Sequence, residues 1–243
     1  MTTALRIAHL YPAELGINGD RGNVIALATR LRWRGFDCDV VDVAVGDALP
    51  SEIDLVHVGS GPRSARDAVV PDARRHAARL HEWAAAAVPV LAIGAGLQAL
   101  GMSILAPDGT RREGAGILPI DSVDLEARTV GEVLGERSTS GRFAGFLNHA
   151  ARLEIGHATP LTVLVRGANG AEGVRTGSLI GTHLHGPVLP MNPWLADELL
   201  TASLARHGEK LPEAEERTLE ADERARRARG AIARRLGGAS DDV

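Results

Sequence analysis

Short apolar runs alternate with helical stretches throughout the first hundred residues, at intervals that suit βαβ units. "LRIAHLY" (5–11) reads as a strand, and "GDRGNVIALATRLRWRG" carries apolar residues at helical spacing, with Asp20 or Asn23 near the helix start and Gly35 past its end. "FDCDVVDVAV" alternates as a second strand, and "IDLVHVGSG" (53–61) runs from a third into a glycine-containing loop. "ARDAVVPDARRHAARLHEWAAAA" predicts a helix interrupted near Pro71, after which "PVLAIG" is a fourth strand and "AGLQALG" opens another helix. This order predicts a three-layer α/β fold, a mostly parallel central sheet covered by helices on both faces. From Gly114 onward the runs shorten ("TVGEVLG", "RFAGFLNH", "LTVLVRG", "SLIGTHLHG"), which predicts a β-rich C-terminal half continuing the same domain. The tail from Gly208 is charged, helix-prone and poor in large apolar residues, and it predicts a solvated terminal helix with a frayed end.

Composition narrows the function classes. Of 243 residues, 44% are hydrophobic but only 3% aromatic, so the core must be built from Ala, Val, Leu and Ile. A net charge of −4 gives no general affinity for nucleic acid or anionic membrane. The lone cysteine, Cys38, excludes an internal disulfide framework and a multi-cysteine zinc site. Neither a signal peptide nor a membrane span is visible, so a cytoplasmic protein without membrane insertion is expected.

The stretch "PVLAIGAGLQALG" (89–101) has the form of a nucleophile elbow, a strand that turns sharply into a helix. Such a turn projects its apex side chain above the sheet and leaves the next amides and the helix N-terminus poised for an anion. Here the apex is Gly94, which has nothing to attack with. By itself G-x-G after a strand also suits an ordinary tight turn or a nucleotide-binding loop. His183 and His185 alternate on a strand and so are expected on one face, but no third ligand at suitable spacing accompanies them, and no metal is expected. His149 is expected to fix a turn; His9, His57, His76 and His81 read as ordinary strand or surface residues. Arg63 and Arg66 are expected to be solvated. Asp20 and Arg21 could line a partner surface.

Five stretches occur in a fixed order: "NGDRGN" (18–23), "VGSGPR" (58–63), "LAIGAGLQALG" (91–101), "GFLNHAAR" (145–152) and "GTHLHGPVLPMNPWLADELL" (181–200). In that order and spacing the chain resembles the class I glutamine amidotransferases of the cobyric acid synthase-like (CobB/CobQ) group. Within it, the resemblance is to GatD-type subunits of lipid II isoglutaminyl synthases. The resemblance spans roughly residues 5–207 and implies the class I glutamine amidotransferase-like fold for 1–207, with 208–243 as an appended charged helical tail. It implies a subunit that hydrolyses glutamine and passes ammonia to a Mur-ligase-like (MurT-type) partner in a heterodimer. That partner would use ATP and Mg to activate the D-glutamate carboxylate of the peptidoglycan stem, leaving this chain without a cofactor. It further implies that His185 is the general base and acid, that Arg128, Gly61 and Ala95 bind glutamine or a related small molecule, and that the Gly59–Gly61 turn supplies the oxyanion site. In that family a cysteine stands where this chain has Gly94.

That difference removes the thiolate that would attack the carboxamide. Losing the nucleophile of a catalytic unit costs several orders of magnitude in rate. Cys38 belongs to the second strand and reads as a small hydrophobe. Ser60 and Ser64 lie in the loop facing the site, but a serine there is expected to approach the substrate from the wrong side. The expectation is therefore an amidotransferase scaffold without glutaminase activity. The alternatives are an active glutaminase using another nucleophile, and a binding module whose pocket is enlarged by the missing side chain.

Overall fold

The computed structural model describes residues 4–138, 141–156 and 160–237. Its first half follows the predicted alternation: β1 (Ala4–Leu10), α1 (Arg21–Trp33), β2 (Asp37–Val43), β3 (Leu55–Val58), α2 (Arg63–Arg75), α3 (Ala77–Ala85), β4 (Val90–Ile93) and α4 (Ala95–Leu100). Pro71 lies inside α2, and the break falls instead at His76, between α2 and α3. There follow β5 (Ser103–Leu105), β6 (Arg111–Glu113), a long hairpin of β7 (Ile120–Ser138) and β8 (Gly141–Ile155), then β9 (Thr162–Gly167), β10 (Gly170–Thr176), β11 (Leu179–Thr182) and β12 (Leu184–His185). Three helices close the described chain: α5 (Val188–Met191), α6 (Pro193–Ala205) and α7 (Glu216–Arg235).

A seven-stranded sheet runs β2-β1-β3-β4-β11-β10-β9, and its first five strands are parallel. Its central strands are apolar on both faces, as strands covered twice must be. Val56, Val58, Val90 and Ala92 pack with Val69, Leu80, Trp83 and Leu97 of the helices on one side. Leu55, Leu91 and Ile93 face Val24, Leu27, Leu31, Leu195 and Leu199 on the other. The β-rich half contributes the antiparallel edge of this sheet and also a second sheet of five strands, β12-β8-β7-β5-β6. The polypeptide leaves the first sheet at Thr182 and enters the second at Leu184, which carries His185 to the parallel strands' C-terminal edge.

The tail helix is not merely solvated. Ala225, Ile232 and Ala233 are buried, and Arg30 of α1 holds Asp222 at 2.6 Å while gripping Asp197 of α6 with two bonds of 2.7 and 2.6 Å. Arg235 pairs with Glu132 of β7. The thin apolar stripe suffices because ion pairs to α1 and β7 complete the contact.

Candidate functional site

Parallel strands present their C-terminal ends along one edge of a sheet, and the elbow forms there. Gly94 follows β4 with φ 50° and ψ −107°, in the left-handed half of backbone space that favours glycine. Its N–H donates to Thr182 O at 2.8 Å, which ties the turn to β11. Behind it, Gly96 N–H donates to Gly59 O at 3.0 Å; a Cβ on Gly96 would meet that oxygen at 2.6 Å. The loop after β3 and the start of α4 are thus in direct backbone contact, which only small residues permit.

His185 stands beside the elbow. Its Nδ1 lies 3.4 Å from Asp20 Oδ1, and both residues are buried. Burial pushes the Asp20 carboxyl up from its ordinary range, and the hydrogen bond and charge of His185 pull it back in part. Asp20, read as a helix start or partner surface, precedes α1 but makes no side-chain cap bond. It orients the histidine instead. His185 Nε2 has no hydrogen-bond partner among the described residues, so the nitrogen opposite Asp20 is unspent.

An open cavity of about 350 Å³ meets the elbow, with Gly94, Ala95, Ser60, Gly61, Arg128 and Asn148 in its wall. Arg128 of β7 is exposed and donates to the backbone oxygen and the Oδ1 of Asn148 at 3.1 and 2.8 Å, which aims a positive charge at the mouth. Arg63 lies at the same rim, half exposed, 3.2 Å from Asp124. Arg66, expected on the surface, is buried in a bidentate pair with Asp124 (2.6 and 2.9 Å) and donates to Gln98 at 2.7 Å. The chain thus brings together His185, Gly94, Arg128, Gly61 and Ala95, residues drawn from separate segments of the sequence.

Ser60 is where the sequence reading needs correction. Its side chain does not stand on the far side of the pocket; its hydroxyl accepts the Ala95 N–H at 3.2 Å, and a Cβ on Gly94 would lie 2.3 Å from Ser60 Oγ. Space that a side chain at position 94 would need is therefore held by Ser60 Oγ. Cys38 stays on β2, half-buried, with burial pushing its thiol up to about 11, as for an inert side chain.

The histidines also distribute differently. His183 and His185 do not share a face of one strand, because His183 falls between β11 and β12. His183 meets two residues the linear spacing did not suggest, Glu172 of β10 and His149 of β8. Its Nδ1 is 3.1 Å from Glu172 Oε2, and His149 Nε2 is 2.9 Å from the same oxygen. All three are buried and could be grouped as metal ligands. The imidazoles, however, are stacked with centroids 4.0 Å apart and planes at 18°. Near-parallel rings one above the other cannot both direct an in-plane lone pair at one ion without rotating. The group reads as a charge-assisted network. Burial pushes the Glu172 carboxyl up, but the two imidazoles outweigh it and hold it at about 2; burial pushes His183 down to about 4. His149 thus joins two strands, and its local bond, from the Ala151 N–H at 3.3 Å, falls at a register shift within β8 rather than at a turn. His9 and His57 are buried and stacked, while His76 bonds to Asp47 O at the surface.

A buried histidine paired with a carboxylate beside a strand–helix elbow, with backbone amides and an arginine around a pocket, is a layout that hydrolytic and amidotransferase sites share, and comparison with known proteins says which. The model of the CobB/CobQ-like glutamine amidotransferase domain matches residues 6–193, and the chain belongs to that family. It is 32% identical over 213 residues to the GatD subunit of the glutamine-hydrolysing lipid II isoglutaminyl synthase of Staphylococcus aureus strain N315, covering 84% of this chain and 86% of the relative. It is 28% identical over 212 residues to the corresponding subunit of Streptococcus pneumoniae strain R6, covering 83% and 81%. The fold is shared with a glutamine amidotransferase crystal structure (TM-score 0.59, 16% identity, 81% of this chain and 98% of the other). It is shared also with a glutamine amidotransferase of Thermotoga maritima (TM-score 0.54, 16% identity, 94% and 93%).

Proposed function

We propose that this chain is the amidotransferase-type subunit of a two-subunit synthase that amidates the D-glutamate of lipid II, and that it does not itself hydrolyse glutamine. The observation that carries the second half is Gly94: the elbow, the His185–Asp20 pair and the cavity are present, and the apex has no side chain. The first half is supported by the names and lengths of the GatD relatives, with which the chain aligns over more than four-fifths of either sequence.

The partner is a Mur-ligase-like (MurT-type) subunit in a heterodimer. It holds ATP and Mg, activates the carboxylate and receives ammonia; this chain needs no cofactor for its share. The setting is the cytoplasm, where ATP and the peptidoglycan precursor meet; no helix among the described residues is long and apolar enough to cross a membrane. Without a thiolate, glutamine bound against Arg128 and Asn148 has no group to form the acyl intermediate, and His185 has no thiol to deprotonate. The nitrogen is then free ammonia, and this chain serves the partner as a structural or regulatory subunit.

The test is amidation of lipid II by the chain and its co-purified partner, with either glutamine or an ammonium salt as nitrogen source. Amidation with ammonium and background glutamate release from glutamine are the expected results. Robust glutamine turnover at the same protein concentration would overturn the proposal. Glutamine binding without turnover, read by thermal shift, would show that the pocket still holds an amino acid.

A further inference from the structure

We infer that Ser60 and Gly94 are a complementary pair: Ser60 occupies the seat of the absent nucleophile and holds the neighbouring oxyanion donor, so the elbow is closed by two residues rather than one. The inference rests on the reading of the elbow as an amidotransferase site and extends it.

Strand register brings the pair together. β3 and β4 run parallel with Val56 opposite Val90 and Val58 opposite Ala92, so two residues further on Ser60 comes opposite Gly94. A Cβ on Gly94 would lie 2.3 Å from Ser60 Oγ and 3.0 Å from Ser60 Cβ, with His185 Cε1 at 3.3 Å. Rotating χ1 moves Oγ away but leaves Ser60 Cβ at 3.0 Å, still tight by a few tenths of an ångström, so a rotamer change relieves the crowding only in part and gives up the bond to Ala95 N–H. Nor can the loop retreat freely. Ser60 O accepts the Ile17 N–H at 3.1 Å, and Gly59 O accepts the Gly96 N–H at 3.0 Å. On either side, a Cβ on Gly59 would meet Leu15 O at 2.1 Å and one on Gly61 would meet Glu14 O at 2.5 Å, so the backbone is already packed against its neighbours.

The hydroxyl has a second effect. Ala95 N–H, the amide immediately after the apex, is one of the donors that would stabilise an acyl oxyanion at an elbow of this kind. It is donated to Ser60 Oγ at 3.2 Å. That bond sets Ser60 Oγ in competition with an oxyanion for the same amide. A cysteine introduced at position 94 enters an occupied seat beside an occupied oxyanion donor. Only a change at both positions reopens it.

The experiment is a four-protein thermal cycle on the full chain: the natural sequence, Ser60→Gly, Gly94→Cys and the double variant. Gly94→Cys alone is expected to lower Tm by on the order of 5 °C, the cost of overpacking a tight site in a domain of this size. Ser60→Gly in the same protein is expected to recover the part of that loss due to crowding, while the cost of a side chain at φ 50° remains. Additive Tm changes, with no recovery in the double variant, would overturn the pairing. Gly94→Ala paired with Ser60→Gly repeats the cycle with a bare Cβ, should the cysteine variant fail to fold. A diazoketone analogue of glutamine, with adducts located by mass spectrometry, then separates the pairing from the reading beneath it. Labelling of the new cysteine at least tenfold faster in the double variant than in Gly94→Cys supports both. Thermal recovery with no labelling of the double variant leaves the pairing standing and overturns the amidotransferase reading of the pocket. Equal labelling of the single and double variants overturns the pairing.

Discussion

Two buried imidazole–carboxylate groups lie among the described residues, and they are built differently. At the elbow, His185 and Asp20 stand 3.4 Å apart, with His185 Nε2 and Asp20 Oδ2 unpartnered. Between the sheets, His149 and His183 both crowd one oxygen of Glu172, at 2.9 and 3.1 Å, and their rings stack. Both groups leave hydrogen-bonding capacity unused, for Glu172 Oε1 and His183 Nε2 are also unpartnered among the described residues, but only His185 stands against the bare apex, its Cε1 3.3 Å from where a Cβ on Gly94 would lie. The second puts its carboxylate to use holding β8, β10 and the β11–β12 crossover together. A buried histidine beside an acid is thus not enough to mark a site, and neither is an unpartnered nitrogen; what matters is what stands beside it, the bare apex in one case and a second imidazole in the other.

The comparison is broken most severely by Glu172→Ala, which strips two buried imidazoles of their shared carboxylate. A loss of about 3–5 kcal/mol in urea unfolding is expected, the usual cost of removing one partner from a buried charged group. Acid is the next largest perturbation, and its sign follows from depressed values on both partners. His183, held near 4 against an ordinary 6.5, contributes stability that is complete above about pH 6.5 and lost as pH falls toward 4. Glu172, held near 2 against 4.5, contributes stability present above pH 4.5 and lost as pH falls toward 2. Unfolding free energy should therefore fall by on the order of 2 kcal/mol between pH 7 and 4, and His183→Gln should flatten that limb. The smallest effect is expected at the elbow. His185→Ala is expected to cost less than Glu172→Ala, on the order of 1–2 kcal/mol, because it breaks one long contact of 3.4 Å to Asp20 where Glu172→Ala strips two imidazoles. A large loss in that variant, measured beside Glu172→Ala, would show the two groups to be equally structural.

Much of the frame was legible in the linear pattern. The strands up to β4 and the helices between them follow from apolar runs and their spacing, and the elbow at Gly94 from a strand that ends on small residues. Pro71 shows a limit of local reasoning: it signals a break, yet the helix continues to Arg75 and stops at His76. Arg66 shows another, for nothing in its neighbourhood of sequence announces that Asp124, fifty-eight positions on, will bury it. The tail helix, too thin in apolar residues to predict a docked face, is held by Arg30 and Glu132, which lie far from it in the chain.

The sequence by itself determined that an elbow forms and that its apex is bare, because backbone geometry and the identity of residue 94 are local properties. What fills the bare apex was decided only in three dimensions. Ser60 arrives there because β3 and β4 are parallel neighbours in register, His185 because the chain crosses between sheets after Thr182, and Asp20 because α1 starts at the same edge. Side chains that meet at the ends of parallel strands are far apart in the chain, and no local pattern encodes which of them will share a seat.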